Sequence, residues 1–166
     1  MTTVAVVGNP KPRSRTRAAA ELVAERLTGA PPDVVVDVID LGAGLLGWGD
    51  PAVAEAVAAV RDAEVAVVAS PTYKATYTGL LKLFLDQIGT GDLAGVVAVP
   101  LMLGGGPTHA LAPELLLKPV LVELGATAPT RGLYLLDKTW DDPAPLDAWL
   151  AAARPQVDAA RTARRG

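Results

Sequence analysis

Short apolar runs alternate with longer amphipathic stretches along almost the whole chain of 166 residues. The runs are rich in β-branched residues and nearly continuous in apolar character, as expected for strands that are covered on both faces. They are Thr3–Val7, Val34–Ile39, Val65–Ala69, Val96–Leu101 and Leu133–Leu136. The stretches with helical periodicity are Ser14–Leu27, Pro51–Asp62, Tyr77–Ile88, His109–Leu124 and Leu146–Arg161. Strict alternation of five strands with five helices predicts an α/β fold with a doubly wound, five-stranded parallel sheet.

Local signals place several ends of these elements. Asp50 is a suitable N-cap for a helix with Pro51 at its first position, and Gly29 and Gly125 stand where helices should stop. We expect the glycine-rich segment Gly42–Gly49 to be a mobile loop. Because no linker divides the chain, we expect one domain over residues 1–166.

The fourth helical stretch carries two prolines. Pro113 lies near its first turn, but Pro119 falls inside the pattern, so we predict a kink, a π-bulge or a break just before Pro119. The stretch is also apolar nearly all round, and only one of its faces can cover the sheet. Its apolar residues are Leu111, Leu115, Leu116, Leu117, Val120, Leu121, Val122 and Leu124. Either neighbouring helices cover the opposite face or, as we prefer, another subunit does.

Composition limits the chemistry. The chain has no cysteine, which excludes disulfides, thiolate catalysis and iron–sulfur clusters, and its single histidine, His109, disfavours a transition-metal site. Any redox chemistry would therefore depend on an organic cofactor. The net charge of −3 gives no reason to expect nucleic-acid or membrane binding. No secretory signal or membrane-spanning run is visible, so we expect a cytoplasmic protein.

Ligands of doubly wound sheets bind beyond the carboxyl ends of the strands. The loop after the first strand runs from Gly8 to Thr16 and contains Lys11, Arg13, Ser14 and Arg15. Hydroxyl donors, positive charge and a capped helix start suit a phosphate. An equally open interpretation is an ordinary capped helix with solvated basic residues. The segment is neither a P-loop nor a GxGxxG fingerprint, so a monophosphate is the better match.

Two further loops at this edge are unusual. The loop Ser70–Gly79 is polar and aromatic, and Tyr73 either stacks on a planar ring or, as loop aromatics more often do, simply packs. The segment Met102–His109 contains three consecutive glycines, which suit close approach of a ligand to the backbone or a flexible connector. For His109 we favour packing at a helix start over a role beside the ligand.

In this order the three loops resemble the NADPH-dependent FMN reductase family. The segments that carry the resemblance are GNPKPRSRT, SPTYKATYTGLLKLFLDQI and GGGPTHALAPELLLKPVLVELGA, and it extends to about Asp137. The chain looks most similar to the branch of sulfonate-associated FMN reductases, which pass reduced flavin to a separate monooxygenase. The resemblance implies a flavodoxin-like fold with strand order 2-1-3-4-5 and a homodimer or homotetramer.

The resemblance also implies the FMN contacts. The phosphate is expected at Ser14, Arg15 and Thr16, and the ring at the second and third loops. The residues expected to bind the cofactor are Asn9, Arg13, Ser14, Arg15, Thr16, Pro71, Thr72, Tyr73, Lys74, Leu103, Gly104, Gly105 and Gly106. Asn9 stands where many relatives have Ser, and Leu103 stands near a position where many have Thr.

The reaction expected from this resemblance is direct hydride transfer from NAD(P)H to FMN, which needs no catalytic side chain and no metal. Three alternatives remain open at this point. They are a quinone, azo-dye or metal-ion reductase with tightly held FMN, a flavodoxin-type electron carrier without NAD(P)H oxidase activity, and a flavin-free protein of the same fold.

Overall fold

The computed structural model describes residues 1–164 and contains one five-stranded sheet in which every neighbouring pair of strands is parallel. The strands lie in the order β2-β1-β3-β4-β5, which confirms the predicted doubly wound α/β fold. The strands are β1 (Thr3–Val7), β2 (Val34–Asp37), β3 (Val65–Pro71), β4 (Val97–Gly104) and β5 (Leu133–Leu136). All five predicted strands therefore exist.

Helices cover both faces of the sheet. The α-helices are α1 (Arg15–Thr28), α2 (Pro51–Arg61), α3 (Gly79–Leu85), α4 (Lys118–Glu123) and α5 (Pro143–Arg164). One buried cluster joins the sheet to α2, α3 and α4, and a second joins its other face to α1 and α5. Burial on both faces explains why the strands read as nearly continuous apolar runs.

The helix ends follow the local sequence signals. Ser14 caps α1 by accepting a hydrogen bond from the Arg17 amide, and Gly29 ends that helix with a φ of 84°. Asp50 accepts bonds from the Ala52 and Val53 amides at the start of α2. Because α1 starts at the carboxyl edge of the sheet, its first turn points towards the region where a ligand is expected.

Several predicted bounds were wrong. Strand β2 stops at Asp37 instead of Ile39, and 3₁₀-helical turns occupy Val38–Leu46, so most of the expected loop Gly42–Gly49 is ordered in turns around the buried Leu45. Helix α3 begins at Gly79 instead of Tyr77 because Thr78 caps it, and it ends at Leu85 instead of Ile88.

The fourth helical segment is interrupted as predicted. A 3₁₀ turn (Pro107–His109) and a π-helical turn (Pro113–Leu117) precede α4, and the Lys118 amide bonds to the Pro113 carbonyl five residues earlier. The wide turn sits directly before Pro119, which has no amide hydrogen to donate. The Glu114 carboxylate then secures the turn, because it accepts the Gly132 amide at 2.6 Å and the Lys118 ammonium at 2.9 Å.

None of the helices formed by residues 1–164 is long and apolar enough to cross a membrane.

Candidate functional site

The three unusual loops converge on one open cleft of about 310 Å³ at the carboxyl edge of the sheet. Its walls come from the ends of β1, β3, β4 and β5 and from the start of α1. The lining residues are Asn9, Lys11, Ser14, Arg15, Pro71, Thr72, Tyr73, Leu103, Gly104, Gly105 and Asp137. Nine of the thirteen residues expected from sequence to bind a cofactor therefore meet here.

Asn9 closes the first loop on itself. Its buried amide donates to the Thr16 hydroxyl at 2.9 Å, and its Oδ1 accepts the Lys11 amide at 2.9 Å. The loop is thus fixed by a side chain that was expected to touch the ligand. Thr16 is 2% exposed and lies behind the loop, so its hydroxyl holds Asn9 in place.

The first turn of α1 supplies donors to this wall of the cleft. The first amides of a helix have no acceptor within it, and they carry the positive end of the helix dipole. Ser14 uses its Oγ to accept the Arg17 amide at 3.2 Å, which leaves the hydroxyl proton free to be donated. Lys11 and Arg15 add positive charge to the same wall.

The second loop is a tight turn. Tyr73 and Thr76 exchange backbone hydrogen bonds of 2.9 and 3.2 Å, and Lys74 and Ala75 between them have φ values of 51° and 71°. Two positive φ values in succession are the geometry of a type I′ turn. Tyr73, 50% exposed, lines the cleft, whereas Lys74 is not part of its lining.

Thr72 offers an unused polar atom. Its amide donates to the Leu103 carbonyl at 2.7 Å, which ties the second loop to the third. Its hydroxyl oxygen is buried and has no hydrogen-bond partner among residues 1–164. A buried polar group without a partner is costly, and such a hydroxyl beside a cleft is suited to a ligand atom.

Glycine is required at the end of β4. A Cβ built on Gly104 would lie 1.8 Å from the Tyr134 hydroxyl, which donates to the Gly106 carbonyl at 2.7 Å. The Asp137 amide in turn donates to the Gly104 carbonyl at 2.9 Å. The third loop is therefore held by Tyr134 and Asp137 and is not a flexible connector.

Hydrogen bonds also join the first two loops. The Thr78 hydroxyl donates to the Gly8 carbonyl at 2.6 Å, and the Thr78 amide donates to the Ser70 hydroxyl at 3.0 Å. A Cβ on Gly8 would lie 2.3 Å from the Leu81 Cβ, so α3 packs directly on the backbone there. The cleft walls are thus preorganised relative to one another.

A buried carboxylate lies next to the first loop. Asp37, at the end of β2, is 5% exposed, and burial raises its pKa. The Arg13 amide and the Arg17 guanidinium, 3.7 Å away, act in the opposite direction but do not cancel the effect of burial, while the Asp40 carboxylate adds to it. Arg13 itself has a φ of 51° and an exposed side chain.

Four expected residues lie outside the lining of the cleft, namely Arg13, Thr16, Lys74 and Gly106. His109 is exposed in its 3₁₀ turn, so the preferred interpretation as a packing residue was wrong. Asp137 lines the cleft but was not among the expected residues, and its position directly after a strand was the available signal. No group of three metal-ligating side chains occurs within residues 1–164.

Comparison with known proteins identifies similar chains. A family model described as NADPH-dependent FMN reductase matches residues 1–141. An FMN reductase (NADPH) of Escherichia coli strain K12 is 31% identical over 150 residues, covering 82% of this chain and 74% of that protein. The NADH-dependent FMN reductase SfnF of Pseudomonas putida is 30% identical over 146 residues, covering 83% and 78%.

A solved structure agrees with these relatives. The apo form of an NADH:FMN oxidoreductase, EmoB, is 31% identical and superposes with a TM-score of 0.82, covering 98% of this chain and 89% of that one.

Proposed function

This chain belongs to the NADPH-dependent FMN reductase family, and from that membership we propose that its cleft binds FMN and that it transfers hydride from NAD(P)H to the flavin. The observation that carries the proposal is the convergence of all three loops on one cleft. We further propose that residues 1–166 form a single flavodoxin-like FMN-binding domain that works in the cytoplasm, where NAD(P)H is available.

The residues of the cleft fit FMN. The phosphate would be held by the first amides of α1 together with Lys11, Ser14 and Arg15, because helix amides, a hydroxyl and cations are all suited to a dianion. The ring would lie against the second and third loops, where the unpartnered Thr72 hydroxyl can bond to one of its heteroatoms. A Cβ on Gly105 would meet no atom within 4 Å, so the backbone there leaves room beside the cleft.

Bound FMN supplies a ring that accepts hydride from a nicotinamide stacked on it. The protein contributes position. The Asn9–Thr16 bond fixes the first loop, which forms the phosphate wall of the cleft. The Thr72–Leu103 bond fixes the spacing of the second and third loops. Preorganised walls reduce the entropy lost on bringing two rings together, and this positioning lowers the barrier without a reacting side chain.

Calorimetry with FMN, FAD and riboflavin tests the binding proposal. We expect FMN to bind more tightly than riboflavin, which lacks the phosphate, and more tightly than FAD, because the first loop has no dinucleotide fingerprint. Tighter binding of FAD would refute the assignment.

We also propose that the protein is a homo-oligomer. Leu111, Leu115, Leu116 and Val122 are between 42% and 61% exposed, so the other helices of the chain do not cover this part of the π-turn and α4. A contiguous apolar face of this kind is suited to burial by a second copy. Sedimentation of Leu115→Glu should show a smaller species than the wild type, whereas Leu83→Glu on α3 should not. A wild-type monomer at micromolar concentration with FMN bound would contradict the proposal.

A flavin-dependent monooxygenase is the partner we propose for the reduced product. The support is the sequence likeness to the FMN reductase (NADPH) of Escherichia coli and to the NADH-dependent FMN reductase SfnF of Pseudomonas putida. Reduction of FMN in large excess over the enzyme would show that the reduced flavin leaves the cleft, as delivery to another enzyme requires.

A further inference from the structure

Two oppositely charged residues form an ion pair in the part of the cleft that we assign to the FMN phosphate. Arg15 is the first residue of α1, and Asp137 follows β5 directly, 122 residues later in the chain. One guanidinium nitrogen of Arg15 donates to the Asp137 carboxylate and also to the Asp137 carbonyl, at 3.1 Å for the carbonyl. Both residues line the cleft.

This arrangement opposes anion binding. A carboxylate in the wall of a phosphate site repels the phosphate, and it engages the guanidinium that the phosphate would use. The backbone of Asp137 is held beside the cleft, because its amide is bonded to the Gly104 carbonyl at 2.9 Å. A phosphate entering the cleft must therefore share Arg15 with Asp137 or displace it.

We propose that Asp137 is an internal competitor of the FMN phosphate for Arg15 and that it keeps FMN exchangeable. The inference rests on the proposed function, and it assigns to Asp137 the role of weakening the contact between Arg15 and the FMN phosphate. Reduced FMN carries the same phosphate, so the same competition favours its release.

The expected size of the effect follows from the exposure of the pair. The side chains of Arg15 and Asp137 are 60% and 43% exposed, and ion pairs in such positions are weak because water screens them. Removing the carboxylate charge should therefore tighten FMN by about fivefold, and not by several orders of magnitude.

The test compares the FMN and riboflavin affinities of the wild type with those of Asp137→Asn, which keeps the shape of the side chain and removes its charge. We expect about fivefold tighter FMN, slower FMN dissociation, and a change of less than about twofold for riboflavin. Asp147→Asn is the matched control, because Asp147 pairs with Arg26 near the other end of α1, about 16 Å from Arg15. Asp137→Ser serves as a second variant if the Asn variant melts at a lower temperature.

Further outcomes separate the claims. Unchanged or weaker FMN binding by both Asp137 variants would overturn the competition, since Asp137 would then merely orient Arg15. Equal tightening of FMN and riboflavin would overturn it as well. Retention of the full gain in an Arg15→Ala background would show plain repulsion in place of competition for Arg15. If instead the wild type binds riboflavin as tightly as FMN, the proposed phosphate site itself fails.

Discussion

The Asn9 amide donates to the Thr16 hydroxyl across 2.9 Å, and this buried bond joins the end of β1 to the first turn of α1. The two residues bracket the whole loop that carries Lys11, Ser14 and Arg15. The loop therefore keeps its shape through a hydrogen bond formed behind the surface that a phosphate would contact.

Loss of this bond should weaken FMN indirectly. Thr16→Val keeps the volume of the side chain and leaves the buried Asn9 amide without its acceptor, at a cost of about 1–3 kcal/mol in the free energy of unfolding. We expect FMN affinity to fall severalfold and riboflavin affinity to change less. Asn9→Ala removes this bond and also the bond from the Lys11 amide to Asn9 Oδ1. The double variant should therefore lose little more than Asn9→Ala alone, as calorimetry and thermal unfolding can show. Additive losses would mean that the two residues act separately.

The glycine loop offers a pair of neighbouring substitutions. A Cβ on Gly105 or on Gly106 would meet no atom within 4 Å, but only Gly105 lines the cleft. Gly105→Ala should leave the melting temperature nearly unchanged and weaken FMN about tenfold, because an added methyl in a packed contact costs about 1–3 kcal/mol. Gly106→Ala is the control and should have little effect on either quantity. Equal losses of FMN affinity in both variants would contradict this placement of the ring.

Asp37 should make stability depend on pH in an unusual direction. Burial raises its pKa, so the ionised carboxylate destabilises the folded state at neutral pH, and this penalty is absent below the pKa of an unfolded aspartate, about 3.9. Asp37→Asn should therefore melt at a higher temperature than the wild type at pH 7, by about 2–4 °C for each kcal/mol removed. The advantage should shrink as the pH is lowered towards 4. The exposed Asp141→Asn serves as the control, and a lower melting temperature for Asp37→Asn at pH 7 would refute the prediction.

Glu114 should show the opposite dependence. Burial alone would raise its pKa, but the Gly132 amide and the Lys118 ammonium outweigh burial and lower it. Its contribution is therefore present above the pKa of an unfolded glutamate, about 4.3, and is lost as the pH falls through the folded-state value. Glu114→Gln should cost about 1–2 kcal/mol at pH 7, measured by denaturant unfolding, and progressively less in acid. A loss independent of pH would show that charge is not what secures the π-helical turn.

The sequence predicted the strands and the interruption in the fourth helix for clear physical reasons. Strands covered on both faces must be apolar throughout, and Pro119 cannot complete an α-helical hydrogen bond. Both features therefore depend only on the residues of the segment itself. The role of Asp137 was not predictable in this way, because it depends on the end of β5 lying beside the start of α1. The absence of Lys74 from the cleft lining was likewise not predictable, because its positive φ has no signal in a residue type that usually avoids this region.

Hydride transfer as proposed here requires the cleft to bring FMN and NAD(P)H together. The most direct measurement is the visible absorbance of FMN, as sole electron acceptor, during incubation with the purified protein and NADH or NADPH in the absence of oxygen. We expect the flavin band to bleach over many turnovers, with one NAD(P)H oxidised for each FMN reduced. We also expect Gly105→Ala to slow the reaction when FMN is limiting. If the protein binds FMN but the flavin spectrum stays unchanged with both nicotinamide cofactors, the proposed hydride transfer is wrong.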